Sequence, residues 1–154
     1  MTKEKKLSAY TLESKKINVL DFKKQIRIAL LSSFTLDGLD ETIKVKCAEI
    51  NVGCHVFSGG YNQYNEEILN TKSKLYAFSP DICFLILDIR DIFGDLFYSP
   101  YNLSVEKRRE FIQNKVDELV NLAKSFIEKS NSKLVISNFA IPTYSPYGIF
   151  ENKT

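Results

Sequence analysis

The stretch that most constrains this chain runs from Ile26 to Leu39. Its apolar run Ile26-Arg27-Ile28-Ala29-Leu30-Leu31 is too short for an independent helix and apolar enough for a strand buried on both faces. Ser32 to Thr35 then supply a small polar turn. Asp37 follows, and Leu36, Leu39, Ile43 and Ile50 fall on one stripe and predict an amphipathic helix. Strand, polar turn and helix form the first half of a βαβ unit, whose turn lies at the carboxyl edge of a sheet, where open α/β folds bind ligands.

The same pattern recurs downstream. Cys54 to Ser58 predicts a second strand, stopped by Gly59-Gly60, which permit positive φ or a close backbone approach. A short helix through Glu66, Ile68 and Leu69 follows. Ser79-Pro80-Asp81 leads into a third strand, Ile82 to Leu87, with Asp88-Ile89-Arg90-Asp91 at its end. A loop carrying Gly94, Pro100 and several aromatics precedes a long helix from the N-cap Ser104 to about Lys129. Its expected buried stripe is Ile112, Val116, Leu119, Val120, Ala123, Phe126 and Ile127. A fourth strand, Leu134 to Ser137, runs into Asn138-Phe139-Ala140-Ile141-Pro142. Strands alternating with helices predict an α/β three-layer sandwich with a parallel, flavodoxin-like sheet and right-handed crossovers. The domain spans 26–142, after a lysine-rich lead-in arm over 1–25 and before an irregular tail over 143–154. The fourth strand is an expected exposed edge, which invites pairing with another chain as a homodimer.

At 154 residues and 44% hydrophobic, the chain suffices for one domain with its own core, without disulfide or metal. A net charge of +2 gives no ground for a nucleic-acid or anionic-membrane partner. No apolar run reaches the roughly 18 residues of a membrane span, and no signal-peptide core follows the charged start. Cys47, Cys54 and Cys83 sit in apolar contexts and read as reduced, buried thiols of a cytoplasmic protein.

The four strand-end loops nominate Ser32, Ser33, Thr35, Gly59, Gly60, Asp88, Arg90, Asp91 and Asn138 as the lining of a cleft. Several chemistries fail there on residue type. A phosphate loop would use the helix N-terminus after Thr35, but Asp37 and Asp40 occupy the anion's place. A haloacid-dehalogenase phosphatase needs a second aspartate two residues after Asp88, and Arg90 stands there. A serine esterase of the SGNH type would place its nucleophile at Phe34 and its oxyanion-hole asparagine at Arg90. The lone histidine, His55, lies inside the second strand rather than in a late Asp-x-x-His block. The Cys and His residues lack metal-ligand spacing. Arg90 is expected either to pair with Asp88 or Asp91 or to face the cleft and grip an anion.

Taken in series, five blocks carry a family resemblance. They are Ile28 to Asp37, Gly60 to Leu69, Leu75 to Asp81, Leu87 to Asp91 and Asn138 to Pro142. In order and spacing the chain resembles the N-terminal region of the FkbH-like proteins over about residues 26–148. The resemblance implies an SGNH-like α/β domain followed by a haloacid-dehalogenase-type catalytic domain. In the characterised type, the whole protein takes a glyceryl unit from 1,3-bisphosphoglycerate, dephosphorylates it and loads it on an acyl carrier protein for polyketide or related biosynthesis. The implied Mg²⁺ and acyl-accepting cysteine belong to the later domain, so this chain is expected to hold no cofactor and no catalytic residue. A C-terminally incomplete SGNH-like domain is expected, a fragment or a short stand-alone relative. The implied function is a non-catalytic binding or accessory domain; the alternative is a divergent SGNH-type esterase with a non-standard site.

Overall fold

A computed structural model describes residues 5–140. Its sheet has four parallel strands in the order β2-β1-β3-β4: β1 Gln25–Ser32, β2 Gly53–Ser58, β3 Ile82–Ile86 and β4 Lys133–Ile136. This is the flavodoxin-like order, with the strand that opens the first βα unit held between two neighbours. The tail 143–154 and the Ile141-Pro142 pair lie outside the described residues.

Two helical layers flank the sheet. On one face, α1 (Leu7–Ser14) packs on α2 (Leu39–Glu49), and α2 covers Ile28, Leu30 and Cys54 with Leu39, Ile43 and Cys47. On the other face, Ala29, Leu31, Cys83, Leu85 and Leu87 meet α3 (Tyr64–Leu69), α4 (Lys74–Phe78) and α7 (Val105–Lys129). The alternation along β1 and β3 follows from the period of two: odd residues face one layer and even residues the other. The largest fully buried side chain, Phe126, joins α7 to this second layer.

Three expectations change. Ile50 does not join the buried stripe of α2: it is the C-cap and stands 72% exposed, because the helix ends at Glu49 and Asn51 takes a positive φ of 61°. The aromatic-rich segment after β3 is not a plain loop. It folds into two short helices, α5 (Ile89–Phe93) and α6 (Asp95–Tyr98), and a 3₁₀ turn at Pro100–Asn102. The third change concerns α7, whose N-cap is Ser104 as expected. Its buried residues are Leu122 and Phe126, whereas Ile112, Val116, Val120 and Ile127 are 44–62% exposed. The apolar arc of α7 is wider than the surface the sheet offers, so half of it stays outside.

From Lys5 onward the lead-in packs against the domain. Val19–Asp21 forms a 3₁₀ turn against Gly53, where a Cβ would come within 2.6 Å of the Val19 carbonyl oxygen. Lys5 bridges Glu13 of α1 and Glu49 of α2. Leu7, Leu12 and Leu20 remain mostly exposed.

Candidate functional site

A cavity of about 650 Å³ opens at the carboxyl ends of β1 and β2. Its floor is Leu30 and Ser32, and its walls come from Ser58-Gly59 after β2 and from the turn Phe34 to Gly38 that leads into α2. Leu7 and Thr11 of α1 close one side, with Tyr61 opposite. The cavity exists because β1 and α2 are joined by six residues rather than by a tight turn. Gly38 makes the last bend with φ 82°, and a Cβ there would run into the Leu7 side chain. Gly59 lies so close to β1 that a Cβ would meet Leu31 Cδ2 at 2.7 Å, while its N–H donates to the Leu30 carbonyl at 2.9 Å.

Only part of the expected cleft lines this cavity: Ser32, Thr35 and Gly59. Gly60 turns to a second depression with Phe57, Gln63 and Glu67. Ser33 is fully buried and joins the two halves of the carboxyl edge. Its N–H donates to the Ile86 carbonyl at 3.3 Å and its Oγ accepts the Asp88 N–H at 2.9 Å. Ser32 Oγ accepts the Phe34 N–H at 3.0 Å. Both hydroxyls thus serve as acceptors that hold backbone turns. His55 reaches neither: it pairs with Arg27 across β1, roughly 10 Å back along the strand from Ser58 at about 3.3 Å per residue. Its Nε2 lies 3.3 Å from Gln25 Oε1.

Asp88, Arg90 and Asp91 belong to the β3 half. Asp88 is the N-cap of α5: its carboxylate accepts the Arg90 N–H at 2.8 Å and the Arg90 Nε–H at 3.0 Å, and a further guanidinium nitrogen closes a two-pronged pair. The chain turns helical directly after Asp88, and this folds Arg90 back onto it. That hydrogen-bonded guanidinium holds the Asp88 carboxyl below the usual carboxylate range, and the Asp88 carboxylate in turn raises the pKa of Arg90. Asp91 and Asn138 are exposed, and neither lines the cavity.

What residue patterning did not single out is a carboxyl group on the cavity wall. Asp37 and Asp40, which on sequence occupy the anion's place at the helix N-terminus, line it together with Glu41. Glu41 Oε2 is buried with no hydrogen-bond partner among the described residues. Two ionised carboxylates can only accept, so the neighbouring Asp40 satisfies it only when one of the pair keeps a proton. Accordingly, the hydrogen bond with Asp40 raises the pKa of Glu41. For Asp40, burial pushes upward, but the Glu41 bonds and Lys44 outweigh it and leave the group below its ordinary value. A wall of carboxyls and hydroxyls with no lysine or arginine among the described residues disfavours a phosphate and suits a ligand that presents hydrogen-bond donors. The signal was present as three acids in five residues, but only the fold shows that they face a cavity.

The thiols do not contribute. Cys54 and Cys83 are buried, and burial pushes both up to about 12, with Cys47 adding to the effect on Cys54. Cys47 is half-buried rather than buried. Among the described residues, no group of three His, Cys, Asp or Glu side chains could hold a metal ion, and no helix is long and apolar enough to cross a membrane.

No curated protein matches the chain. In fold it is similar to a crystal structure of the N-terminal part of the protein BF1531 from Bacteroides fragilis, described as containing a phosphatase domain complexed with Mg. The TM-score is 0.74 at 15% identity over 97% of this chain, and this chain spans 37% of that one. The family model described as FkbH, N-terminal domain, matches residues 27–154. With most of its length inside that match, and with the parallel sheet that the alternation of strands and helices predicted, this chain belongs to the FkbH N-terminal domain family.

Proposed function

We propose that this chain is the non-catalytic N-terminal domain of an FkbH-like protein that loads a glyceryl-type acyl unit from 1,3-bisphosphoglycerate onto an acyl carrier protein. In this reading the Mg²⁺-dependent dephosphorylation and the acyl transfer belong to a downstream domain, and this domain supplies a binding surface beside it. The assignment rests on family membership and on the phosphatase domain of the BF1531 structure. Three reduced thiols suit a cytoplasmic setting for such a pathway.

The observation that carries the non-catalytic half is the role of the two serines. A nucleophilic hydroxyl must give its proton to a base and reach a substrate carbonyl. Ser33 is fully buried, its Oγ accepts the Asp88 N–H, and His55 lies on another part of the sheet. The test is turnover of nitrophenyl esters by the wild type and by the Ser32→Ala/Ser33→Ala double variant. Rates at background for both are expected. Turnover well above background that disappears in the double variant would replace this reading with the esterase. Binding is tested separately by titrating labelled protein with phosphopantetheinylated carrier protein. Amide shifts on this domain are expected, and unchanged spectra would remove the carrier protein as a partner of this domain.

A further inference from the structure

Two of the three thiols meet where α2 hands over to β2. Cys47 lies in the last turn of α2, on the face that also carries Leu39 and Ile43 into the core. The chain then reverses tightly. Val52 N–H donates back to the Cys47 carbonyl at 2.9 Å, and Asn51 takes a positive φ of 61° in the bend. Gly53 and Cys54 open β2, and the pairing of Cys54 with Ile26 sets its side chain on the face that α2 covers. Burial pushes the Cys54 thiol up, and the Cys47 thiol lies close enough to add to that rise by charge and by hydrogen bonding. The two differ in access. Cys54 is 1% exposed and its Sγ donates to the His55 carbonyl at 3.7 Å, whereas Cys47 is half-buried and reaches solvent. Cys83 stands apart, fully buried on the opposite face of the sheet with Ala29, Leu31 and Leu85.

We propose that Cys47 and Cys54 form a redox site at the junction of α2 and β2, closed to an intramolecular disulfide by hydrogen peroxide and reopened by a thiol reductant. Access sets the order of the steps. The solvent-reachable Cys47 sulfur, as thiolate, attacks the peroxide and the O–O bond breaks. Cys47 becomes a sulfenic acid, and the other oxygen leaves as hydroxide and takes up the thiol's proton as water. The Cys54 sulfur then attacks the Cys47 sulfur, the S–O bond breaks, and hydroxide leaves with the Cys54 proton as a second water. Across both steps the two thiols lose two electrons and two protons, and the peroxide becomes two waters. Cys54 is inert toward a solvent-borne oxidant because burial keeps it covered and protonated. It serves as the second sulfur only because Cys47 is held beside it. An S–S bond is about 2.05 Å long, so the sulfurs must close up. The terminal turn of a helix frays most easily, so Cys47 rather than the strand residue makes that adjustment. The bond then staples the end of α2 to the start of β2. Transient disulfides of this kind are the form in which reducing compartments use paired cysteines.

The test exposes the native 154-residue chain to hydrogen peroxide, then unfolds it and alkylates the remaining thiols before mass spectrometry. The expected product is a single chain two hydrogens lighter, alkylated only at Cys83, with a peptide pair joining Cys47 to Cys54. Dithiothreitol should restore all three thiols. Cys54→Ala removes the second sulfur, so dimedone should trap at least about tenfold more sulfenic acid at Cys47 than in the wild type. Cys47→Ala, at the half-buried position, should leave Cys54 unoxidised under the same exposure. The wild-type linkage decides the question whether or not Cys54→Ala folds. A product linked through Cys83, a disulfide between two chains, Cys47 carried on to sulfinic acid with Cys54 still free, or three unreacted thiols would each overturn the proposal. Equal trapping in the wild type and a folded Cys54→Ala variant, or oxidation of Cys54 in Cys47→Ala, overturns it equally.

Discussion

The β1 and β3 strands end in the same way and are used differently. Each is an apolar run that leaves the sheet through a polar residue toward a helix N-terminus. After β1, six residues separate Ser32 from α2, and the chain swings wide enough to leave a cavity walled by Thr35, Asp37, Asp40 and Glu41. After β3, Leu87 is followed at once by Asp88, which caps α5 with its own carboxylate, and Arg90 folds over it. The spacing between strand and helix thus decides whether a strand end offers room or closes on itself. The acids follow suit. Asp88 is satisfied twice over and sits below the usual range, whereas Glu41 is left with a partner that can only accept and is pushed above it.

Ser33 is where the two strand ends are tied, so its removal should give the largest effect. Ser33→Ala leaves the Asp88 N–H without its acceptor inside the protein and is expected to cost about 1–3 kcal/mol of stability. Ser32→Ala, which frees only the Phe34 N–H beside an open cavity where water can replace it, should cost less. Chemical denaturation of the two variants measures both. Equal losses, or a greater loss at Ser32, would break the distinction between a closed and an open strand end.

Next in size is Asp88→Ala, which removes an N-cap and the partner of Arg90 and should cost about 1 kcal/mol at neutral pH. The pair itself is partly solvated, with the Arg90 side chain 59% exposed, so most of the loss belongs to the cap. The sign of the pH dependence follows from the depressed carboxyl. Its contribution is fully present above the ordinary value of 3.8 and disappears as pH falls through the lower folded value. Wild type and variant should therefore converge in acid. A difference that stays constant down to the acid transition would mean that the Asp88 carboxylate is not what stabilises this turn.

The strand ends also show what could be read without coordinates. All four strands were legible because each is a short apolar run bracketed by Gly, Pro, Asn or Ser, and their parallel order followed from the helices between them. The Asp88–Arg90 pair was legible as one of two alternatives, since the acid lies two residues from the arginine. The cavity was not, because its wall combines α1 with the α2 turn, and nothing local announces that Leu7 and Thr11 line it or that Leu7 packs over Gly38. Periodicity also placed α7 correctly and misjudged its inner face. Phe126 and Leu119 of the expected stripe do face the core, but the apolar arc is wider than its contact, and only packing adds Leu122 and leaves Val116 and Val120 outside. The short helices α5 and α6 fall below the length at which propensity and pattern separate a helix from a turn.

The smallest expected effect belongs to Glu41 and carries the opposite sign. The ordinary glutamate value is 4.5, and the hydrogen bond with Asp40 raises it in the folded state. Between those two values the folded protein holds a proton that the unfolded chain has released, so the Glu41 contribution weakens as pH rises through that window and stays unfavourable above it. At neutral pH the pair then faces the cavity as two acceptors, with Glu41 Oε2 buried and unsatisfied. Glu41→Gln keeps the size of the side chain, removes one negative charge and gives Asp40 a permanent N–H donor. It should stabilise the protein by less than about 1 kcal/mol at pH 7, the net value of one ordinary hydrogen bond. The advantage should shrink as pH falls below the folded value of Glu41, because the wild-type carboxyl then donates as the amide does. Melting temperatures of both proteins across pH 4 to 8 measure this. A variant less stable than wild type at pH 7, or two curves that run parallel, would show that the acids of the cavity wall are satisfied in some other way, and the contrast between the two strand ends would lose its electrostatic half.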